Sequence, residues 1–585
     1  MDDDAHRRRG GTAAGAAAAA GGFTRPLAFW AGAAACTAGA LLHLPMYWHA
    51  RHMGYRMAGM PMDGAMTAGM ALVVAGLAAV LYGLLPPRLA DLRREVTSVR
   101  VRAMDDAPLR PAHIGLLLVL SLAVTIDVMK PMTLSFVAPG VAAEYGLASP
   151  LNPGGTVPVA WLPLAGISGT MAGSFLWGRL GDRIGRRGSI LLAGMMFATT
   201  AVCGAMPSFT WNVVMCFLMG IAAGGLIPIT FTLIAETVPR RHRGWAMVLI
   251  GGNITVAYIL TSWLAAELTP GYSWRALWLV GLPTGVLLIL LNRWIPESPR
   301  YLLATGRPAE ARAVLARYGA ALEAPADDAT TADDPTQAPA PAPVPAQAQA
   351  PARVPAPAPA PTASRTSARS GYPPLFARAF RGPTLALTLL ALAAGLLAHG
   401  FQMWLPTNLG RMGIAEVSSD RVLRDSALIS LPLNLLTALL YGLWSSRRTI
   451  IALSTLTTAA LLALAVLGDG AAQHGLLLRL LLFVPLWGIS ATAAVMAAYA
   501  SEAYPTPLRA SGSSWTAATS KAGGVLILTL SVAAVAVPSL AATALIAAVP
   551  LALAALAFVR YGPETRGQRL DDVIPERAGE APAHV

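Results

Sequence analysis

Apolar runs of about 20 residues recur from one end of the chain to the other, and at 1.5 Å rise per residue such a run spans a bilayer core. Of 585 residues, 55% are hydrophobic and 12% charged, about half the charged share of a soluble domain. The solvent around most of this chain is therefore lipid. In lipid every backbone N–H and C=O must be satisfied internally, and runs of this length select helices over a barrel. The expected fold class is an all-α membrane protein. The 55 glycines suit helices that approach backbone to backbone. A net charge of +13 would suggest nucleic acid in a soluble protein; here the arginines lie between apolar runs, so no nucleic-acid partner follows. Cys36, Cys203 and Cys216 sit inside apolar runs without paired spacing, which implies neither a disulfide frame nor a zinc site.

Residues 1–26 begin polar and continue as a small-residue tract too weakly apolar to insert, and are expected to remain as a cytoplasmic tail without a cleavable signal. Two spans follow within 27–85, then a basic linker over 86–111. Six spans fill 112–295, a polar break covers 296–382, six more spans fill 383–560, and 561–585 is a tail. Inside the break Pro299–Tyr318 has helical patterning, and the Ala/Pro repeat after it cannot build a core. With fourteen spans, Arg179, Arg183, Arg186, Arg187, Arg240, Arg241, Arg243, Arg447, Arg448 and Arg509 fall on one side with both termini. That side is assigned to the cytoplasm, although Arg51, Arg56, Arg411, Arg421 and Arg424 fall opposite.

The two sets of six are related. Glu236 and Arg243 have six residues between them in AETVPRRHRG, and Glu502 and Arg509 repeat that separation in SEAYPTPLRASG. Pro296–Ser298 of IPESPR recurs as Pro563–Thr565 of GPETRG, at an offset that agrees to one residue. A 6+6 duplication in a membrane is the layout of a carrier whose halves rock about a site between them.

The segment GRLGDRIGRR, Gly178 to Arg187, closely resembles the signature between the second and third spans of the major facilitator superfamily. Gly178 and Gly181 allow tight helix contact, Gly185 can take a turn, and Asp182 with the arginines can form charge pairs. Together with the two Glu-to-Arg elements, PESPRYL and PETRG, the stretch from Ile114 to Leu570 resembles the sugar-porter branch, with its relatives for organic ions and aromatic acids. The resemblance implies the major facilitator fold, two six-helix bundles, here with two extra N-terminal transmembrane helices. It also implies a cytoplasmic gate built from Gly178, Asp182, Arg183, Arg186, Glu236, Arg243, Glu502 and Arg509. The second copy, GLWSSRR, keeps Gly442, Arg447 and Arg448 but has no Asp, so the gate is expected to be asymmetric.

Ionisable groups inside a span face a cavity or one another. Asp127 and Lys130, three apart in the first core span, are expected on one helix face and close enough to pair. Such a pair could exchange a proton for a bound solute, or be structural only. Lys521 in the eleventh core span is either a substrate contact, as the resemblance to organic-anion carriers implies, or a lysine reaching toward the cytoplasm. His399, Gln402 and Asn434, with Asn253 and Asn408, are polar groups on cavity spans, each expected as a helix-to-helix hydrogen bond before a ligand contact. The N-terminal pair holds His43, Met46, His49, His52, Met53, Met57, Met60 and Met62. Thioether and imidazole favour a soft ion such as Cu(I), but methionine is also apolar filler and no fixed spacing is present, so these remain weak metal candidates.

The expectation is a proton-coupled secondary transporter of a small organic solute, with an organic anion favoured, acting as a monomer in the cell membrane and not as an enzyme. No cofactor is implied and no Walker loop appears. The alternatives are a carrier of sugars or drug-like compounds and a transporter-like metal sensor.

Overall fold

The structure is a computed structural model that describes residues 25–85, 104–149, 152, 154–320, 372–402, 405, 408–409, 416–467, 475–534 and 539–568. Most of the expected tails and the Ala/Pro linker lie outside these residues. An N-terminal hairpin comes first: α1 (Pro26–Leu41), α2 (Leu44–His49) and α3 (Gly64–Leu84). Pro26 opens α1 in the first turn, where its missing N–H is no loss, and the Asp63 carboxylate caps α3 by accepting from Met66 N at 2.7 Å.

The first bundle contains α4 (Pro111–Tyr145), α5 (Trp161–Thr199), α6 (Phe209–Thr237), α7 (Arg240–Gly251), α8 (Asn253–Tyr272), α9 (Ala276–Leu279) and α10 (Gly281–Leu291). α5 is two membrane arms joined at Gly185, whose φ of 80° and ψ of 169° break the helix. Two short helices, α11 (Pro299–Ala304) and α12 (Pro308–Arg317), follow where a single helical stretch was expected. The second bundle comprises α13 (Arg381–Leu396), α14 (Glu416–Leu439), α15 (Ser446–Leu467), α16 (Gly475–Glu502), α17 (Thr506–Ala534) and α18 (Leu540–Tyr561). π turns extend α13 over Leu397–Phe401 and α14 over Leu440–Trp444.

Twelve described segments are long and apolar enough to cross a membrane. The first arm of α5 and α14, the two others among the fourteen expected spans, do not meet that measure. α14 falls short because it opens on the charged sequence EVSSDRVLRDS, leaving the shorter apolar stretch Leu428–Trp444.

Small residues set the helix contacts, as expected where lipid supplies no hydrophobic drive between helices. On α3, Gly69, Gly76 and Gly83 recur every seven residues and face α1. A Cβ added at Gly39 would lie 2.6 Å from the Gly69 carbonyl, and one at Gly76 would lie 2.7 Å from Cys36 Sγ. The hairpin therefore closes backbone to backbone. It rests on the second arm of α5, where Leu84 lies 3.6 Å from the position of a Cβ on Gly188.

Candidate functional site

α4 carries Asp127 and Lys130 just before Pro131. Pro131 has no N–H to give the Asp127 carbonyl, so the helix leaves a backbone acceptor open at that depth. Asp127 is 2% exposed and its Oδ1 has no hydrogen-bond partner. The expected pair with Lys130 does not form. Three residues turn a helix through about 300°, which still leaves roughly 60° between the side chains. Lys130 uses that divergence to lean toward the end of α5. Its Nζ lies 6.0 Å from the Phe197 ring and 2.9 Å from where a Cβ on Gly281 would be.

The cation that acts electrostatically on Asp127 is instead Lys521 of α17, from the other bundle. Lys521 is half-buried and also acts electrostatically on His399. His399 sits in the π turn of Leu397–Phe401, a distortion that often marks functional positions. Its Nδ1 is 3.1 Å from the Gly395 carbonyl and 2.9 Å from the place of a Cβ on Gly524, so the absence of a side chain there makes room for the ring. Carboxylate, ammonium and imidazole thus act on one another electrostatically between the bundles. Such a set can hold a proton and present a cation to a solute.

Gln402 is half-buried directly after the π turn. Asn434 donates to Thr255 Oγ1 at 3.0 Å and accepts from Ser490 Oγ at 3.3 Å, which makes it a link between bundles. Asn253 likewise donates to Ser121 Oγ at 2.6 Å, and Asn408 is buried.

The gate residues gather at one end. Gly178 lets α5 meet α17, since a Cβ there would collide with Ser514 Oγ. Arg186 pairs with Glu236 at 3.5 Å. Arg183 is exposed, with its carbonyl accepting from Tyr301 Oη at 3.2 Å, and the side chain of Asp182 lies outside the described residues. Glu502 accepts from Tyr441 Oη and from Thr565 Oγ1, each at 2.8 Å, and Arg509 is buried in the second bundle. Arg243, 2% exposed, is held by Asp105.

Two Glu residues do work that the repeat announced without explaining. Glu297 of PESPR accepts from Arg186 N at 2.7 Å and caps the second arm of α5. Glu564 of PETRG accepts from Ser446 N at 2.9 Å and caps α15. Burial pushes the Glu297 carboxyl above its ordinary range against these N–H donors, whereas at Glu564 the Ser445 and Ser446 hydroxyls outweigh burial and hold it below. Their recurrence in both halves was the available signal. Asp105, together with the outer-end pair Glu144–Arg275, lay beyond the pattern; Arg275 between Trp274 and Ala276 at a span start was the trace it left.

The soft-ligand residues are not assembled. His43 is buried in the hairpin with Nδ1 2.8 Å from the Gly39 carbonyl, while His49, His52 and Met53 are exposed. Met46, Met57 and Met66 fill an apolar cluster with Val202 and Met206, and Met60 and Met62 pack against it. Among the described residues no group of three or more His, Cys, Asp or Glu is placed to hold a metal ion.

A sequence-family profile described as "Sugar (and other) transporter" matches residues 138–336. The niacin transporter of Acinetobacter baylyi is 23% identical over 73% of this chain and 88% of its own length. Organic cation/carnitine transporter 7 of Arabidopsis thaliana is 32% identical over 32% of this chain and 36% of its own length. A structure of the proton:xylose symporter XylE with 6-bromo-6-deoxy-D-glucose superimposes with a TM-score of 0.59 at 16% identity, covering 79% of this chain and 98% of that one. The partially occluded, inward-open xylose transporter from E. coli gives 0.56 at the same identity, covering 79% and 100%. At that identity the likeness is one of fold.

Proposed function

We propose that this chain, a secondary transporter of the major facilitator superfamily and of the sugar-porter type, carries small organic anions together with protons by alternating access. It is read as a monomer in the cell membrane with both termini in the cytoplasm, from the placement of its arginines.

One observation carries the reading: Lys521 of the second bundle acts electrostatically both on Asp127 of the first bundle and on His399 of its own. A rocking motion that parts the bundles must part this set of charges, so the exposure of Asp127 and Lys521 changes with the state of the carrier. Asp127 is the proton carrier in this reading, and Lys521 meets the anionic group of the solute. The names of the relatives, niacin and organic cation/carnitine transporters, support a small organic solute.

Uptake into proteoliposomes, against a panel of carboxylic acids, sugars and organic cations, tests the reading directly. Acids should accumulate only with an inwardly directed proton gradient. Uptake confined to neutral sugars, or indifferent to pH, would overturn the anion and proton assignments respectively.

The gate offers a separate check on alternating access. Gly178→Val forces methyl groups against Ser514 and should prop the gate end open. Transport should fall by about tenfold or more, which a bias of roughly 1.4 kcal/mol between states suffices to produce. Yield and monodispersity should hold, because an open gate is one of the carrier's own states. Undiminished transport would show that this seam need not close.

A further inference from the structure

Residues 104–110, the described strap ahead of α4, lie against the gate. Met104 is buried in the main core cluster, Asp105 binds Arg243, and Asp106 pairs with Arg240 at 2.8 Å. Arg240 N also donates to the Asp105 carbonyl at 3.1 Å, and Arg110, at the start of α4, donates to the Ala316 carbonyl of α12 at 3.0 Å. The strap is therefore seated at several points.

Arg243 lies at the meeting of the bundles. The neighbouring Gly244 approaches Tyr441 and Glu502 of the second bundle: a Cβ there would be 3.1 Å from Tyr441 Cε1 and 3.6 Å from Glu502 Oε1. Arg243 acts electrostatically on Glu502, yet the two form no ion pair; the guanidinium is turned to Asp105 and to the Val238 carbonyl. Glu502 is meanwhile satisfied by Tyr441 and Thr565.

We propose that Asp105 is a positioning residue of the gate: by holding Arg243 within its own bundle, it keeps the guanidinium from clamping onto Glu502 across the seam. This inference rests on the alternating-access reading. A direct Arg243–Glu502 bond would exist only with the gate closed, and would deepen that state relative to the open one. With Asp105 in place, Arg243 keeps a partner in both states, and opening the gate strips no charge of its counter-ion. The buried guanidinium has a constant neutraliser, and the gate end can separate without exposing or orphaning it.

The test uses the full chain with Ser514→Cys as a reporter at the seam, the three native cysteines being buried. A membrane-impermeant maleimide, applied from the gate side, reads gate opening as an alkylation rate. Asp105→Asn should slow alkylation by about fivefold, equivalent to roughly 1 kcal/mol of added closure. Turnover should fall in step while KM for the transported acid stays close to the parent's. Asp105→Glu should restore the parent rate, and adding Glu502→Gln to Asp105→Asn should do so too, because the clamp then has no carboxylate. Should Asp105→Asn fail to fold, Asp106→Lys supplies the same reading by repelling Arg240 and lifting the strap. Alkylation that is unchanged or faster in these variants overturns the proposal. A parent whose Ser514→Cys reacts at one rate with and without solute and proton gradient would instead overturn alternating access.

Discussion

Asp127→Asn is expected to lose solute accumulation driven by a pH gradient and to keep solute exchange at equal pH. One proton per solute and one pH unit of gradient support about tenfold accumulation, so the ratio should drop from that level to unity. The physical reason is depth. A charge at the centre of a span costs about 2.5–3.5 kcal/mol on the insertion scale. Asp127 is buried with Oδ1 unpartnered, and Lys521 of the other bundle is the cation that acts electrostatically on it. When the bundles part, that support changes, and protonation is the remaining way to neutralise the carboxylate. Asparagine keeps the shape and cannot cycle. Exchange needs only binding and rocking, so it survives. Accumulation that persists in Asp127→Asn excludes this carboxylate as the proton carrier, whereas loss of exchange as well would make it a binding group first.

At the outer end, Arg275→Met should be the most destabilising single change in the first bundle. Arg275 is wholly buried: it bonds Glu144 at 2.7 Å, Tyr145 Oη at 2.9 Å, and the carbonyls of Gly204 and Met206 at 3.1 and 2.9 Å. Glu144 also accepts from Trp274 Nε1 at 2.9 Å and from Met57 N and Ala58 N at 2.7 and 3.0 Å. Removing the guanidinium strands a buried carboxylate, which typically costs about 3–5 kcal/mol. For a bundle of roughly 200 residues that lowers the melting midpoint by roughly 6–20 °C. Because Glu144 also ties down the hairpin loop at Met57 and Ala58, protease should cut that loop sooner in the variant. Adding Glu144→Gln should return much of the loss, since the stranded charge goes with it. An unaltered midpoint in Arg275→Met would show that the pair contributes nothing net.

Much of this arrangement was legible in the sequence, for physical reasons. A bilayer imposes a length on its helices, so the spans stand out. Duplication repeats motifs at one offset, so the bundles do too. The turn at Gly185 was readable because few residues other than glycine adopt its backbone, and Glu297 presses on the space a Cβ would need. The partner of Asp127 was not readable. Spacing places Lys130 within reach, but which of two cations acts on a carboxylate is decided by how the bundles come together, with α17 packed on α5 and α6, and no local pattern records that. The histidine–methionine cluster failed for the opposite reason. Methionine is equally at home as ligand and as filler, and only packing distinguishes the two. The seven-residue glycine period of α3 was present in plain sight, but its meaning required the facing glycines of α1.

The two caps also let the halves be compared as descendants of one unit. Setting Arg186 against Ser446, the residues whose N–H groups Glu297 and Glu564 receive, puts Gly442 in the place of Asp182. A Cβ on Gly442 would stand 2.6 Å from Trp245 Cβ and 3.0 Å from Trp245 N, so the backbone of the first half occupies the space a carboxylate there would need. The duplicated unit has thus kept the part that starts a helix and given up the part that carries gate charge, in one copy only. Ancestry and packing lead to the same consequence: restoring an acid at position 442 would not rebuild a second gate, because its room has been taken by the other half.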